Sequence, residues 1–319
     1  MSDANKVMQL AEAVRTEVGK AVVGQTDTVD SLLVGLVTGG HVLLEGVPGT
    51  AKTLLARSMA YVLGASFKRI QFSPDLMPAD VVGTNVFDAE TSSFRLRRGP
   101  VFANLVLADE INRTPPKTQS ALLEAMQEGQ ATIDGTSHAL PQPFMVIATQ
   151  NPVEYEGTYP LPEAQLDRFQ QKVVMGYPSP DEEIEVLRRH VGGLEQTDLG
   201  EMGLREVAGV EDLLAARAEL DSVTVDVGVT SYVSAIVRAT REHAGVSLGA
   251  SPRAAVSLLV ASKARALLSG REFVTPDDVK GMVHDCLRHR VLLRPEIEIE
   301  GVTVDSVLDD VLGRVDVPR

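Results

Sequence analysis

The chain has 319 residues, 44% of them hydrophobic, enough for a sizeable core and, at roughly 150 residues per domain, for two domains. The formal net charge is −14 at pH 7 and aromatic residues make up 4% with no Trp, so both the long-range field and the shortage of stacking rings argue against a nucleic-acid binder. A single cysteine, Cys286, excludes an internal disulfide and fits a reducing cytoplasm, and no apolar run approaches the ~18 residues of a membrane span.

The first nine residues carry no secretory signal pattern. Within residues 1–178, short apolar runs alternate with amphipathic helical stretches. The runs are 41–45, 68–72, 104–108, 144–149 and 172–176. Each is rich in Val, Ile, Leu or Phe and bounded by polar or turn residues, as buried parallel strands are. Strands alternating with helices predict an α/β core, a parallel sheet with helices on both faces. Two hairpins interrupt the alternation. One spans 82–98 with its turn near 88–93, and the other spans 131–141 with Asp134-Gly135 as its turn signal. Arg95, Arg97 and Arg98 fall on the first and read as its solvated edge. After Pro178 the character changes. Ser179-Pro180 followed by Asp181, Glu182 and Glu183 marks a helix start, and similar starts recur at Thr114-Pro115, Ser251-Pro252 and Thr275-Pro276. Ala255, Leu258, Leu259, Ser262 and Ala266 share one helical face. Residues 179–319 are therefore expected to form a second, smaller, mainly helical domain.

The run 41–45 leads into Gly46-Val47-Pro48-Gly49-Thr50-Ala51-Lys52-Thr53, and a helical stretch follows from Leu54. Strand, Gly-rich loop, Lys-Thr and helix form the context of a phosphate-binding loop. Gly46 and Gly49 let backbone N–H groups turn toward phosphate oxygens, and the helix adds the positive end of its dipole. Lys52 would reach the β- and γ-phosphates of ATP, and Thr53 would offer its hydroxyl to Mg²⁺. Ala51 stands where Gly is usual; its methyl group is tolerable if the residue already has helical dihedrals. The run 104–108 ends in Asp109 and Glu110. An Asp at the carboxyl end of a strand can hold Mg²⁺, and the neighbouring Glu110 can orient and deprotonate a water. A lone strand–turn–helix with an exposed Lys, or a strand ending in solvated acids, would be ordinary. The two together, in phase with the α/β alternation, point to ATP hydrolysis.

Asn151 follows the run 144–149 and can hold the attacking water or the γ-phosphate, although Asn-Pro is also a turn signal. Arg168 precedes the last strand and either serves the site or pairs with an acid such as Asp167. Arg253 lies in the first turn of a helix, where a cation opposes the helix dipole. A bound phosphate would resolve that conflict, as would a local acid.

With these residues in place the sequence resembles the MoxR group of AAA+ ATPases. The stretches GVPGTAKT, LADEINRTPPKTQSALLEAMQE (107–128), ATQNP (148–152) and LPEAQLDRF (161–169) carry the resemblance, which extends over about 22–315. It implies a P-loop AAA+ core and an all-α lid. It makes Ala51 unremarkable, matches Asn151 to sensor 1 and Arg253 to sensor 2, and matches Arg168 to an arginine finger serving the ATP of the neighbouring subunit. The segment Val22-Val23-Gly24-Gln25 would pack on the adenine, Val23 and Gly24 touching the nucleotide beside the loop from Gly46 to Leu54. The two hairpins match the group's helix-2 insert and pre-sensor hairpin, and Arg113 is a further candidate for the subunit interface. A ring, usually a hexamer, is implied, as is a protein client to be remodelled, such as one with a von Willebrand factor A domain. The alternative is a DNA-associated motor of the helicase type, which shares the hairpins. Against it, residues 131–141 contain no Lys or Arg. A P-loop kinase is disfavoured because Asp109, Glu110, Asn151 and Arg253 suit an activated water rather than another acceptor.

Overall fold

The computed structural model describes residues 3–151, 157–191 and 198–318. Pro152 of the ATQNP stretch lies outside the described residues. Two helices, α1 (Asp3–Ala21) and α2 (Thr26–Thr38), precede β1 (Val42–Gly46). There follow α3 (Lys52–Val62), β2 (Phe67–Gln71), α4 (Pro78–Val82), β3 (Gly83–Asp88), β4 (Ser93–Arg98) and β5 (Leu105–Asp109). Then come α5 (Pro116–Glu128), β6 (Gln130–Ile133), β7 (Thr136–Ala139), β8 (Met145–Gln150), α6 (Glu163–Leu166) and β9 (Gln171–Met175).

The five strands expected from the apolar runs form one parallel sheet in the order β2-β5-β8-β1-β9, each within one residue of its anticipated bounds. β5 is buried at every position and β8 at all but its last, because helices cover both faces. Leu105 and Leu107 of β5 join a cluster with Val14, Leu32 and Leu55 from α1, α2 and α3. Val106 and Ala108 point the other way, to Leu122 and Leu123 of α5. The period of two along one strand thus serves two cores.

Both hairpins form, β3 with β4 and β6 with β7. Asp134 and Gly135 have φ of 48° and 79°, the two left-handed residues that a tight two-residue hairpin turn requires. Asn85 Nδ2 donates to Asp134 Oδ2 at 2.8 Å and ties one hairpin to the other. Thr114 does not cap a helix as anticipated. Its hydroxyl donates to Ser73 O at 2.8 Å, and α5 starts two residues later.

The remainder is α7 (Pro180–Val191), α8 (Val210–Ala218), α9 (Val227–Glu242), β10 (Val246–Leu248), α10 (Pro252–Leu268), α11 (Pro276–Leu287), β11 (Leu292–Leu293), α12 (Pro295–Ile299) and α13 (Val304–Arg314). Among the described residues it is helical apart from the β10–β11 ribbon, an isolated bridge between Thr224 and Phe273, and the connecting turns. Ser179 and Glu182 exchange capping hydrogen bonds at the start of α7, and Ser251 accepts from Ala254 N at the start of α10. α10 packs against α1 and α2 as well as α9 and α11, so it is buried around more of its girth than a single apolar face suggests. Cys286 is buried there, and burial pushes its thiol up to about 12. Among the described residues no helix is long and apolar enough to cross a membrane.

Candidate functional site

β1, held between β8 and β9, delivers the chain to the Gly-rich loop at the carboxyl edge of the sheet. Gly46 has no room for a side chain, since a Cβ would lie 2.9 Å from Met175 O. Gly49 has φ of 87° with open space beside its Cα. Ala51 departs from expectation. It is left-handed, with φ 60° and ψ 22°, a conformation that costs an L-residue about 1–2 kcal/mol. The methyl group is accommodated by strain rather than by helical dihedrals. α3 begins at Lys52. Its ammonium donates to the carbonyls of Gly46 and Val47, the latter at 3.1 Å. Burial lowers the Lys52 pKa, and the charges of Asp109 and Glu110 oppose that shift. A half-buried cation met by loop carbonyls is suited to a phosphate, and the residues present fit one.

Asp109 and Glu110 sit at the tip of β5, one strand removed from β1. Asp109 Oδ1 accepts from Thr149 Oγ1 at 2.6 Å. Its Oδ2 accepts from Arg69 Nη2 at 2.6 Å and Nε at 3.1 Å. Glu110 is left-handed, with φ 57° and ψ 50°, another outlier of the kind that gathers at functional sites. Its N–H donates to Thr149 Oγ1 at 2.8 Å. Its Oε2 accepts from Gln71 Nε2 at 2.7 Å and pairs with Arg113 Nε at 3.1 Å. Arg69 Nη2 also donates to Gln71 Oε1 at 2.6 Å. Arg113 thus faces the acid of its own chain.

Arg69 and Gln71 escaped the sequence reading. Their signal is present in hindsight: Phe67, Arg69 and Gln71 alternate along β2, and the register sets Gln71 opposite Asp109. What the sequence lacked was the knowledge that β2 lies beside β5.

These groups open on a cleft of about 730 Å³, lined by Val22, Val23, Gln25, Pro48 through Leu54, Asp109, Glu110, Thr149, Asn151, Tyr177, Pro178, Val186, Leu187 and Met202, among others. Its size suits a small-molecule ligand, with an apolar end for a flat base and a polar end for phosphates. Asn151 is buried and lines it. Gly46, Val47 and Gly24 do not line it. Gly24 has φ of 74°, and a Cβ there would approach the Glu182 carboxyl carbon to 2.5 Å. The missing side chain lets α7 approach at this position.

Arg168 and Arg253 are brought together, but elsewhere. They line a second cleft of about 330 Å³ with Thr38, Gly39, Gly40, Asp167 and Arg290. Gln170 N donates to His41 O at 2.9 Å, which puts this cleft at the amino edge of the sheet. The five residues of β1 lie between it and the P-loop, roughly 16 Å of extended chain. Arg253 was expected to meet a bound phosphate. It does not line the P-loop cleft, and Asp167 Oδ2 lies 3.9 Å from its Nε. The reason is the packing of α10 on α1 and α2, which carries the first turn of α10 away from the P-loop.

A P-loop and paired acids at the carboxyl edge of a β2-β5-β8-β1-β9 parallel sheet, followed by a helical lid, define the AAA+ class of nucleotide-binding ATPases. Models for the ATPase family associated with various cellular activities and for an AAA lid domain match residues 41–171 and 238–311. Chaperone MoxR1 of Mycobacterium tuberculosis is 44% identical over 95% of this chain and 81% of its own length. Protein MoxR of Methylorubrum extorquens is 30% identical over 89% of this chain and 88% of its own. A crystal structure of a candidate ATPase from Cytophaga hutchinsonii superposes with a TM-score of 0.90 at 42% identity, covering 99% of this chain and 97% of that one. The chain belongs to the MoxR family of AAA+ ATPases.

Proposed function

We propose that the protein hydrolyses ATP with Mg²⁺ between the subunits of a ring, expected to be hexameric, and uses the cycle to remodel a protein client, for which a von Willebrand factor A domain protein is one candidate. The observation that carries this reading is the polarity of the sheet. The P-loop and acids lie at one edge and Arg168 and Arg253 at the other, with β1 between them. Neither arginine lines the P-loop cleft of its own chain, which supports a role for both at the P-loop of another.

In this reading residues 1–178 are the core and 179–319 the lid. Backbone N–H groups of the loop and Lys52 bind the β- and γ-phosphates. Thr53 and Asp109 are the oxygen donors for Mg²⁺, which when bound neutralises phosphate charge. The apolar end, with Val22, Val23 and Leu187, holds the adenine. Asn151 orients a water and Glu110 takes its proton, once Glu110 is released by Gln71 and Arg113. Arg168, joined by Arg253, meets charge developing on the γ-phosphate of the neighbouring subunit. An arginine in that role supplies about 10³–10⁵ in rate, roughly 4–7 kcal/mol. The DNA-motor alternative is not favoured: relatives matching over most of the chain include MoxR proteins, and the β6–β7 hairpin carries no Lys or Arg.

Complementation tests the reading. Glu110→Gln and Arg168→Ala should each be inactive alone, and Glu110→Gln should still bind ATP. Mixed, they should recover activity, because an intact P-loop site then borrows Arg168 from its neighbour. An Arg168→Ala protein with normal turnover, or a mixture as dead as its parts, would count against it. Turnover per subunit should also rise with protein concentration.

A further inference from the structure

The lid grips the turn that carries Arg168 with three consecutive residues. Arg288 Nη1 donates to Lys172 O at 3.0 Å. His289 Nε2 lies 3.0 Å from Phe169 O, a contact in which the ring nitrogen must donate. Arg290 does most. Its Nε donates to Asp167 Oδ1 at 2.6 Å, its Nη2 to Asp167 O at 3.1 Å and Phe169 O at 2.9 Å, and its Nη1 to Gln170 O at 3.2 Å and Cys286 O at 2.8 Å. The Arg290 side chain is only 3% exposed. One planar guanidinium therefore holds the residues on both sides of Arg168, which itself reaches into the second cleft. The other oxygen of Asp167 faces Arg253 at 3.9 Å. Asp167 thus stands between a buried arginine of fixed position and a half-exposed one.

We propose that Arg290 is a positioning residue for Arg168, and through Asp167 for Arg253, setting both in the geometry that the neighbouring subunit's ATP requires. The proposal rests on the intersubunit reading above. Four of the five hydrogen bonds from this buried guanidinium cross to the turn that bears Arg168, three of them to its backbone and one to the Asp167 side chain, and the fifth anchors it on Cys286 O of the lid. Because the donors of a guanidinium lie in one rigid plane, the bonds to the turn are all satisfied together in only one placement of the turn relative to Arg290. Misplacement of about an ångström is enough to cost a hundredfold in such chemistry.

The test uses full-length Arg290→Met and, in case that protein fails to fold, Asp167→Asn, which keeps the side-chain shape and removes the charge. The expected result for Arg290→Met is a fall in kcat of tenfold or more, with KM for ATP within about twofold. Asp167→Asn should show a smaller loss in the same direction. Mixing either with Glu110→Gln should restore turnover, as it does for Arg168→Ala, because the variant's own P-loop site is intact. Failure of the mixture to recover would mean that Arg290 only holds the fold together and would overturn the inference. If Arg168→Ala and Glu110→Gln complement each other while Arg290→Met stays inactive, the inference alone fails. If Arg168→Ala keeps full turnover, the intersubunit reading fails and takes the inference with it.

Discussion

Replacing Arg69 with Ala should tighten the Mg²⁺ dependence of nucleotide binding. Arg69 donates twice to Asp109 Oδ2, the same carboxylate that is proposed to face the metal. Cation and metal compete for it, so bound Mg²⁺ must first displace the guanidinium. A charge-assisted hydrogen bond contributes about 1.5–3 kcal/mol when shielded. The Arg69 side chain is 47% exposed, so solvent screening reduces that to about 1 kcal/mol. Removal of the competitor should therefore lower the Mg²⁺ concentration at half-saturation about fivefold. The measurement is a titration of a fluorescent ATP analogue against Mg²⁺ in the Glu110→Gln background, where hydrolysis does not intrude. Binding without Mg²⁺ serves as the control and should change little. An unchanged Mg²⁺ midpoint would refute the competition. A higher midpoint would refute it more sharply, since Arg69 would then hold Asp109 in place in the bound state as well.

Two further expectations concern the scaffold. His41 is fully buried between Met126 O and Val146 N, and burial lowers its pKa to about 4 from 6.5. The unfolded chain therefore takes up this proton first on acidification, so stability should fall as pH drops from about 6.5 toward 4, by about 3 kcal/mol from His41. His289, also lowered by burial, adds to the same slope. Urea unfolding at pH 7 and 4.5 should show a smaller pH difference in His41→Asn, and an equal difference would refute the assignment. Ala51→Gly should relieve the left-handed strain of about 1–2 kcal/mol while restoring about 0.4–1 kcal/mol of unfolded-state entropy. The net is a Tm rise of about 2 °C, and a fall would show that Ala51 is not strained.

The strands and the loop were legible because each is a local pattern. Apolar runs of five or six residues, bounded by turns and spaced by helices, admit little but a parallel sheet, and Gly46, Gly49, Lys52 and Thr53 state their geometry in eight consecutive residues. The acids were legible for the same reason, as the polar end of a buried run. What escaped depends on neighbours in space. Arg69 and Gln71 acquire their roles only because β2 is placed against β5 rather than at the far edge. Gly24 looked like a ligand contact, and only the approach of Glu182 on α7 shows why the position excludes a side chain. Arg253 was recognisable as an unusual cation in a first turn. Its surroundings were set by how α10 packs on α1 and α2, which no spacing within α10 encodes.

That last point also bears on how hydrolysis couples to assembly. In a parallel sheet every strand leaves its amino end at one edge and its carboxyl end at the other, so anything fixed to the start of β9 is held away from anything fixed to the end of β1. Arg168 belongs to the first kind and Lys52 to the second. Flexing a loop does not close roughly 16 Å of hydrogen-bonded strand, whereas in the proposed ring a second subunit docked against the amino edge would bring its own P-loop to these arginines without deforming either sheet. The lid then has a part at the neighbour's site as well as in lining its own chain's cleft. Through Arg290 it fixes the turn that bears Arg168, and through α10 it supplies Arg253. A displacement of the lid would move both cations at the neighbour's site together. Communication around a ring would therefore run from one subunit's lid to the next subunit's phosphate, in the direction set by the sheet.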